Sequence, residues 1–172
     1  MIEELKARFR DTAAAAAQQF DPDVLDVIHS QADMDRLDFY EVVDRLQNVR
    51  RLNPHIRYAY IMRKTEDPTV LQFVADADSL ATQTELDKNN NGIVEETEEG
   101  SYPGDAYDVS DVPTLADEAF FRPAVDPGIT YDQWGTWISA YAPIQKDGQT
   151  VAVLGIDIDY AEFSNLGRQI FS

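Results

Sequence analysis

The chain has 172 residues, 44% of them apolar and 10% aromatic, which is the length of one domain and enough to bury a core. Asp and Glu number 32 against 14 Lys and Arg, a formal charge of −18 that disfavours nucleic acid and points to a cation or small molecule as partner. With no Cys, disulfides, thiolate metal sites and Cys nucleophiles are excluded, and neither a membrane-span-length apolar run nor a basic leader is present.

From Ile2 to Phe20, Leu5, Phe9, Ala13, Ala16 and Phe20 recur at helical spacing, predicting a long first helix within residues 1–20. The alanine run Ala13 to Ala17 has two readings, helix propensity or close helix contact in a homodimer. Asp21-Pro22 signals an N-cap and first helical residue, and so a short second helix carrying Val24, Leu25, Val27 and Ile28. Ser30 and Asp33 offer a cap for a third helix, in which Leu37, Tyr40, Val43, Leu46 and Val49 keep helical spacing until Asn53-Pro54.

The period then changes to two. RYAYIMRK, a Glu-Asp-Pro turn and TVLQFVADAD predict a hairpin. Residues 79–131 are rich in Asp, Glu, Gly and Pro, and are expected to leave the sheet core as a long functional excursion. GTWISAYAPIQK, an Asp147-Gly148 turn and TVAVLGIDIDY predict a second hairpin, followed by a helix in AEFSNLGRQIF. Helices grouped before antiparallel hairpins indicate an α+β domain spanning 1–172, not alternating βαβ units.

Within the excursion, DKNNNGIVEETE at 87–98 fills every specified position of the EF-hand loop pattern. Asp87, Asn89, Asn91, the Ile93 carbonyl, Glu95 and Glu98 are the expected Ca²⁺ ligands, since alternate short side chains can aim oxygens inward, Gly92 permits the reversal and Glu98 closes the site. SLATQTEL supplies at most a short entering helix, and Gly100 and Pro103 cut the exit short, so an isolated loop is expected. Its modest carboxylate charge suits the roughly 10⁻⁴ to 10⁻³ M affinity of extracellular modules.

In the order RYAYIMRK, FVADAD, the calcium-type loop, PGDAYD, DQWGTWISAYAPI and AVLGIDIDY, the chain resembles the Cache (PDC, extracytoplasmic PAS-like) sensor domains of bacterial histidine kinases, diguanylate cyclases and chemoreceptors. That resemblance implies a long N-terminal signalling helix, a five- or six-stranded antiparallel sheet, an extracytoplasmic location, and flanking membrane spans outside these residues. It also implies a small-molecule pocket on one sheet face, with Tyr58, Tyr60, Arg63, Phe73, Asp76, Tyr131, Trp134, Trp137, Tyr141 and Asp157 as candidates.

Aromatic residues at strand alternation equally describe core packing. Arg63, at a strand end, is either a carboxylate clamp or an edge charge. Asp157, between Ile156 and Ile158 in an otherwise apolar strand, needs a partner such as a ligand amine, Arg63 or a backbone donor. No Arg-x-x-Trp-Tyr element of the amino-acid-binding members aligns with RYAYIMRK, so the ligand stays open. His29 and His55 suggest no triad, and the abundant acid pairs follow from composition, so a non-enzymatic domain is expected. A calcium-dependent binding or adhesion module without signalling output is the alternative.

Overall fold

The computed structural model describes residues 2–132 and 135–171, except for the side chains of Thr97, Tyr131, Asp132, Ile170 and Phe171. Helix α1 (Ile2–Ala17) stops three residues before Phe20, and α2 (Pro22–Leu25) opens where Asp21 accepts a hydrogen bond from the Asp23 N–H. The Ser30/Asp33 cap closes a 3₁₀ turn, Gln31–Asp35, and not the third helix. The Asp33 carboxylate takes the His29 and Ser30 N–H groups, and Arg36 is extended, so α3 starts afresh at Leu37 and runs to Leu52.

Strands β1 (Tyr58–Lys64) and β2 (Val70–Asp76) form the first hairpin, with a register shift after Ile61. The excursion contains α4 (Gln83–Leu86), β3 (Ala106–Asp108), α5 (Pro113–Ala116), β4 (Ala124–Val125) and β5 (Thr130–Asp132). The second hairpin is β6 (Gly135–Lys146) and β7 (Gln149–Asp159), and α6 (Tyr160–Phe171) follows without a break.

All strand pairs are antiparallel, in the order β3-β2-β1-β7-β6-β4, with β5 also on β6. This is an α+β fold with a PAS-like central sheet: the first and last long strands lie together in the middle, and the N-terminal helix packs across the sheet. The excursion was expected to stay outside the sheet, yet it returns to it three times, adding β3 to one edge and β4 and β5 along β6. Three-residue and two-residue strands have too little alternation to stand out in an acidic, turn-rich segment.

The sheet separates two cores. On one face Ala59, Ile61, Ile138, Ala140, Leu154 and Ile156 pack against α1, α3 and α6. Ala13, Ala16 and Ala17 are buried there, so most of the alanine run serves close approach of α1 to the chain's own sheet. On the other face Tyr60, Met62, Phe73, Tyr141 and Val153 are covered by Val109, Val112, Leu115 and Phe120 of the excursion. Among the described residues no helix is long and apolar enough to cross a membrane.

Candidate functional site

The pocket lies on the excursion-covered face. Alternation turns Tyr58, Tyr60 and Met62 of β1 to this side, together with Asp157 of β7, while Phe73 and Asp76 come from β2. β1 pairs with both neighbours at this level: Tyr58 is opposite Asp157, and Tyr60 stands between Asp76 and Gly155. A Cβ at Gly155 would overlap the Tyr60 ring, so glycine there lets the ring lie flat over the sheet. From that position the Tyr60 hydroxyl donates to Asp157 Oδ1 at 2.7 Å.

Glu99, Ser101 and Tyr107 of the excursion complete the lining, and among the described residues none of the lining is basic. Phe73 stands edge-on to both Tyr60 and Tyr107, with ring centroids 6.0 Å apart in each pair. The free space within is about 30 Å³, room for one or two waters, so the walls are nearly closed on each other.

Asp76 is strongly perturbed. Burial, and then the charge of Asp78, push its carboxyl up to about 7, against hydrogen bonds from the Asp78 and Ser101 N–H groups and the pull of Arg50. The Asp76 N–H donates to Ser79 Oγ at 2.9 Å, and that hydroxyl donates to Ser101 O at 2.5 Å, tying the strand end to the covering segment. Burial also raises the Tyr58 phenol to about 12 and lifts Tyr60 well above its ordinary value, so both stay protonated donors.

Of the ten candidate side chains, Tyr58, Tyr60, Phe73, Asp76 and Asp157 therefore meet in one pocket. Trp137 packs edge-on against Tyr58 at 4.9 Å, outside the lining. Tyr141 shares the face but is spent in the core, donating to Asp126 Oδ2 at 3.1 Å. Arg63 does not join them. It points to the opposite face, where it donates to Leu25 O and Ile28 O at 2.7 and 2.5 Å and so ties β1 to the end of α2. The orphan carbonyls of that short helix out-compete a ligand for its guanidinium. Trp134 and the Tyr131 side chain lie outside the described residues.

Met62, Glu99, Ser101 and Tyr107 were not anticipated from sequence. Met62 follows from the alternation of Tyr58 and Tyr60, but the other three arrive through a long connection whose path local pattern does not fix.

The 87–98 loop ends one residue before Glu99 of the pocket wall. It is already curled. Asp87 accepts from the Asn91 and Gly92 N–H groups at 3.1 and 2.7 Å, and Gly92 takes φ +86° to make the reversal. Glu98 reaches back to the Lys88, Asn89 and Glu95 N–H groups at 3.1, 3.3 and 3.2 Å, and Glu95 receives the Asn89 and Asn91 amides at 3.0 and 3.2 Å.

Position by position these are hard oxygen donors of the kind Ca²⁺ takes, with Ile93 side chain 64% exposed and only its carbonyl available. Among the described residues no three His, Asp or Glu side chains gather closely enough to hold an ion by themselves. The loop's carboxylates are instead drawn to its own N–H groups and amides, contacts that a bound cation would partly replace.

The histidines sit elsewhere. His29 Nδ1 lies 3.3 Å from Arg63 Nη1, and His55 Nδ1 lies 2.7 Å from Glu162 Oε1 at the surface.

No protein-family model matches the sequence, and no curated protein matches it significantly. Structural neighbours include sensory domains of a chemoreceptor, a methyl-accepting chemotaxis protein and extracellular domains of putative histidine kinases. The sensory domain of the Campylobacter jejuni chemoreceptor Tlp3 with isoleucine bound aligns at 16% identity and TM-score 0.48, covering 96% of this chain and 58% of that one. The extracellular domain of the putative histidine kinase mmHK1S-Z2 aligns at 13% identity and TM-score 0.42, covering 91% of this chain and 53% of that one. The A. Aeolicus nlh2 GAF domain aligns at 11% identity and TM-score 0.40, covering 99% and 91%. The chain thus spans under three fifths of the length of the chemoreceptor domain it matches.

Proposed function

We propose that this chain is the ligand-sensing domain of a bacterial membrane-bound signalling protein, exposed outside the cytoplasm, without catalytic activity of its own. It binds a compact, positively charged small molecule between Asp76 and Asp157. One observation carries this reading: two buried carboxylates, on the strands either side of β1, turn into a single aromatic-walled pocket whose described lining residues include no base. Buried carboxylates are costly to ionise, and an ammonium group beside aromatic faces would supply both charge pairing and cation–π contact.

The small free volume means that the Glu99–Ser101 wall moves outward to admit anything larger than a few waters. The calcium-type loop is the natural brace for that wall. Asp87, Asn89, Asn91, the Ile93 carbonyl, Glu95 and Glu98 would hold Ca²⁺, which would fix the loop's curl and hence the position of Glu99.

Output follows from connectivity. Asp157 is followed after Ile158 and Asp159 by α6, and α6 packs on α1 through Phe163 and Phe9, with ring centroids 6.5 Å apart. A ligand drawing on Asp157 shifts β7, and with it α6 relative to α1.

The test is a thermal-shift screen of small amines and amino acids, followed by titration of the best one into wild type and Asp157→Asn. Saturable stabilisation in wild type that drops at least about tenfold in affinity in the variant, roughly 1.4 kcal/mol, is expected. Undiminished affinity in Asp157→Asn would remove the carboxylate pocket as the binding site.

A further inference from the structure

A far wider hollow than the pocket is a groove of about 570 Å³ between the end of α3, the start of β1 and α4. Three cationic side chains from separate segments line it: Arg50 in the last turn of α3, Arg57 just before β1, and Lys88 in the 87–98 loop. In a chain with 32 acids against 14 bases, each base has acids to spare around it, and mutual repulsion should scatter the bases.

Only Arg50 is paired here, its Nη2 lying 2.9 Å from Asp78 Oδ1. Arg57 and Lys88 are held against one ring instead, at 5.7 and 5.5 Å from the centroid of Tyr58. Among the described residues neither has a carboxylate oxygen within 4.0 Å of its cationic nitrogens.

The groove's remaining acids are already occupied. Glu162 faces His55 Nδ1 at 2.7 Å, and Glu85 accepts the Thr82 N–H at 2.8 Å in the capping box of α4. Arg57 and Lys88 are thus both held at the Tyr58 ring without a direct ion pair, in a groove that also carries Asp78, Glu85 and Glu162.

We propose that this groove is a second site, which binds a small oxyanion, carboxylate or phosphate, between Arg57 and Lys88 with Arg50 behind them. The Tyr58 ring holds both cations in place before the anion arrives, which reduces the ordering cost of binding. The same ring belongs to the wall of the acidic pocket, so the two sites share one side chain.

The experiment is calorimetric titration of the whole domain with inorganic phosphate and, separately, with malonate, at pH 7 and constant ionic strength. Variants Arg57→Gln and Lys88→Gln are compared with Lys146→Gln, which removes a distant cation paired with Asp23. A one-site isotherm for at least one anion is expected, weakened about tenfold or more by each groove variant and unchanged by Lys146→Gln; the better binder of the two identifies the oxyanion. Absence of saturation with both anions, or equal weakening in all three variants, overturns the site.

Discussion

Asp76 concentrates the electrostatics of the pocket. Its carboxyl is pushed up to about 7 chiefly by burial, and Asp126, buried beneath Thr130 and Tyr141, is raised to about 6 for the same reason. Both folded values exceed the unfolded one near 3.9, so between about pH 4 and 7 the folded state binds more protons and stability falls as pH rises. Asp33, Asp67 and Asp108 are lowered by hydrogen bonds, and their contribution is lost only as the pH falls below about 4, outside that window. Urea unfolding at pH 5 and pH 8 should show wild type less stable at the higher pH, with a contribution from Asp76 on the order of 3 kcal/mol. Self-repulsion of the acidic chain adds to the same trend, so the discriminating measurement is Asp76→Asn, which should lose much of the difference; identical pH slopes in both proteins would mean Asp76 is ionised throughout. A cationic ligand favours the ionised carboxylate, so its affinity should climb through the same pH range.

Among elements, the 87–98 loop carries a local sequence pattern and runs directly into Glu99 of the pocket wall. Its α4 entrance is a single turn closed by the Thr82/Glu85 capping box, and its exit is a 3₁₀ turn over Glu96–Glu98, so no helix pair frames it. The loop depends on its own hydrogen bonds, and Glu98 carries several of them at once. Calorimetric titration of chelator-treated protein should give one Ca²⁺ site of roughly 10⁻⁴ to 10⁻³ M affinity, with a rise in melting temperature at millimolar Ca²⁺. Glu98→Gln keeps the reach and the hydrogen-bond acceptor but removes the charge, and should weaken that affinity at least about tenfold. Silence of the wild-type loop at millimolar Ca²⁺ would reduce it to a capped turn.

At the scale of the whole molecule, the sheet is a partition with the acidic pocket on one face and α1, α3 and α6 on the other. β7 is the element common to both: its Asp157 faces the pocket, while Leu154 and Ile156 pack among the helices and its chain continues directly into α6. Amide hydrogen exchange with and without the tightest amine from the thermal-shift screen should therefore change in β7 and α6 more than in α3, which makes no continuous connection to the pocket strands through β7. Protection that changes only at the pocket would break the proposed path to the helices. Arg63 illustrates the division, since one step of strand alternation from Met62 takes it from the pocket side to α2.

The sequence alone determined α1, α2, the body of α3 and α6, the two hairpins and the α+β class, because period, caps and turns are local properties written in neighbouring residues, such as Asp21-Pro22 and Asp147-Gly148. It also made legible the strand-borne half of the pocket, since alternation places Tyr58 and Tyr60 on one side and Asp157 was conspicuous in an apolar strand. Tertiary structure decided the rest. Glu99, Ser101 and Tyr107 reach the pocket only because the excursion folds back over the sheet, Arg63 is claimed by helix carbonyls, and Arg57 and Lys88 meet across 31 residues of chain at one tyrosine ring. These are contacts between segments far apart in sequence, settled by how two faces of one sheet are covered, and no local pattern encodes them.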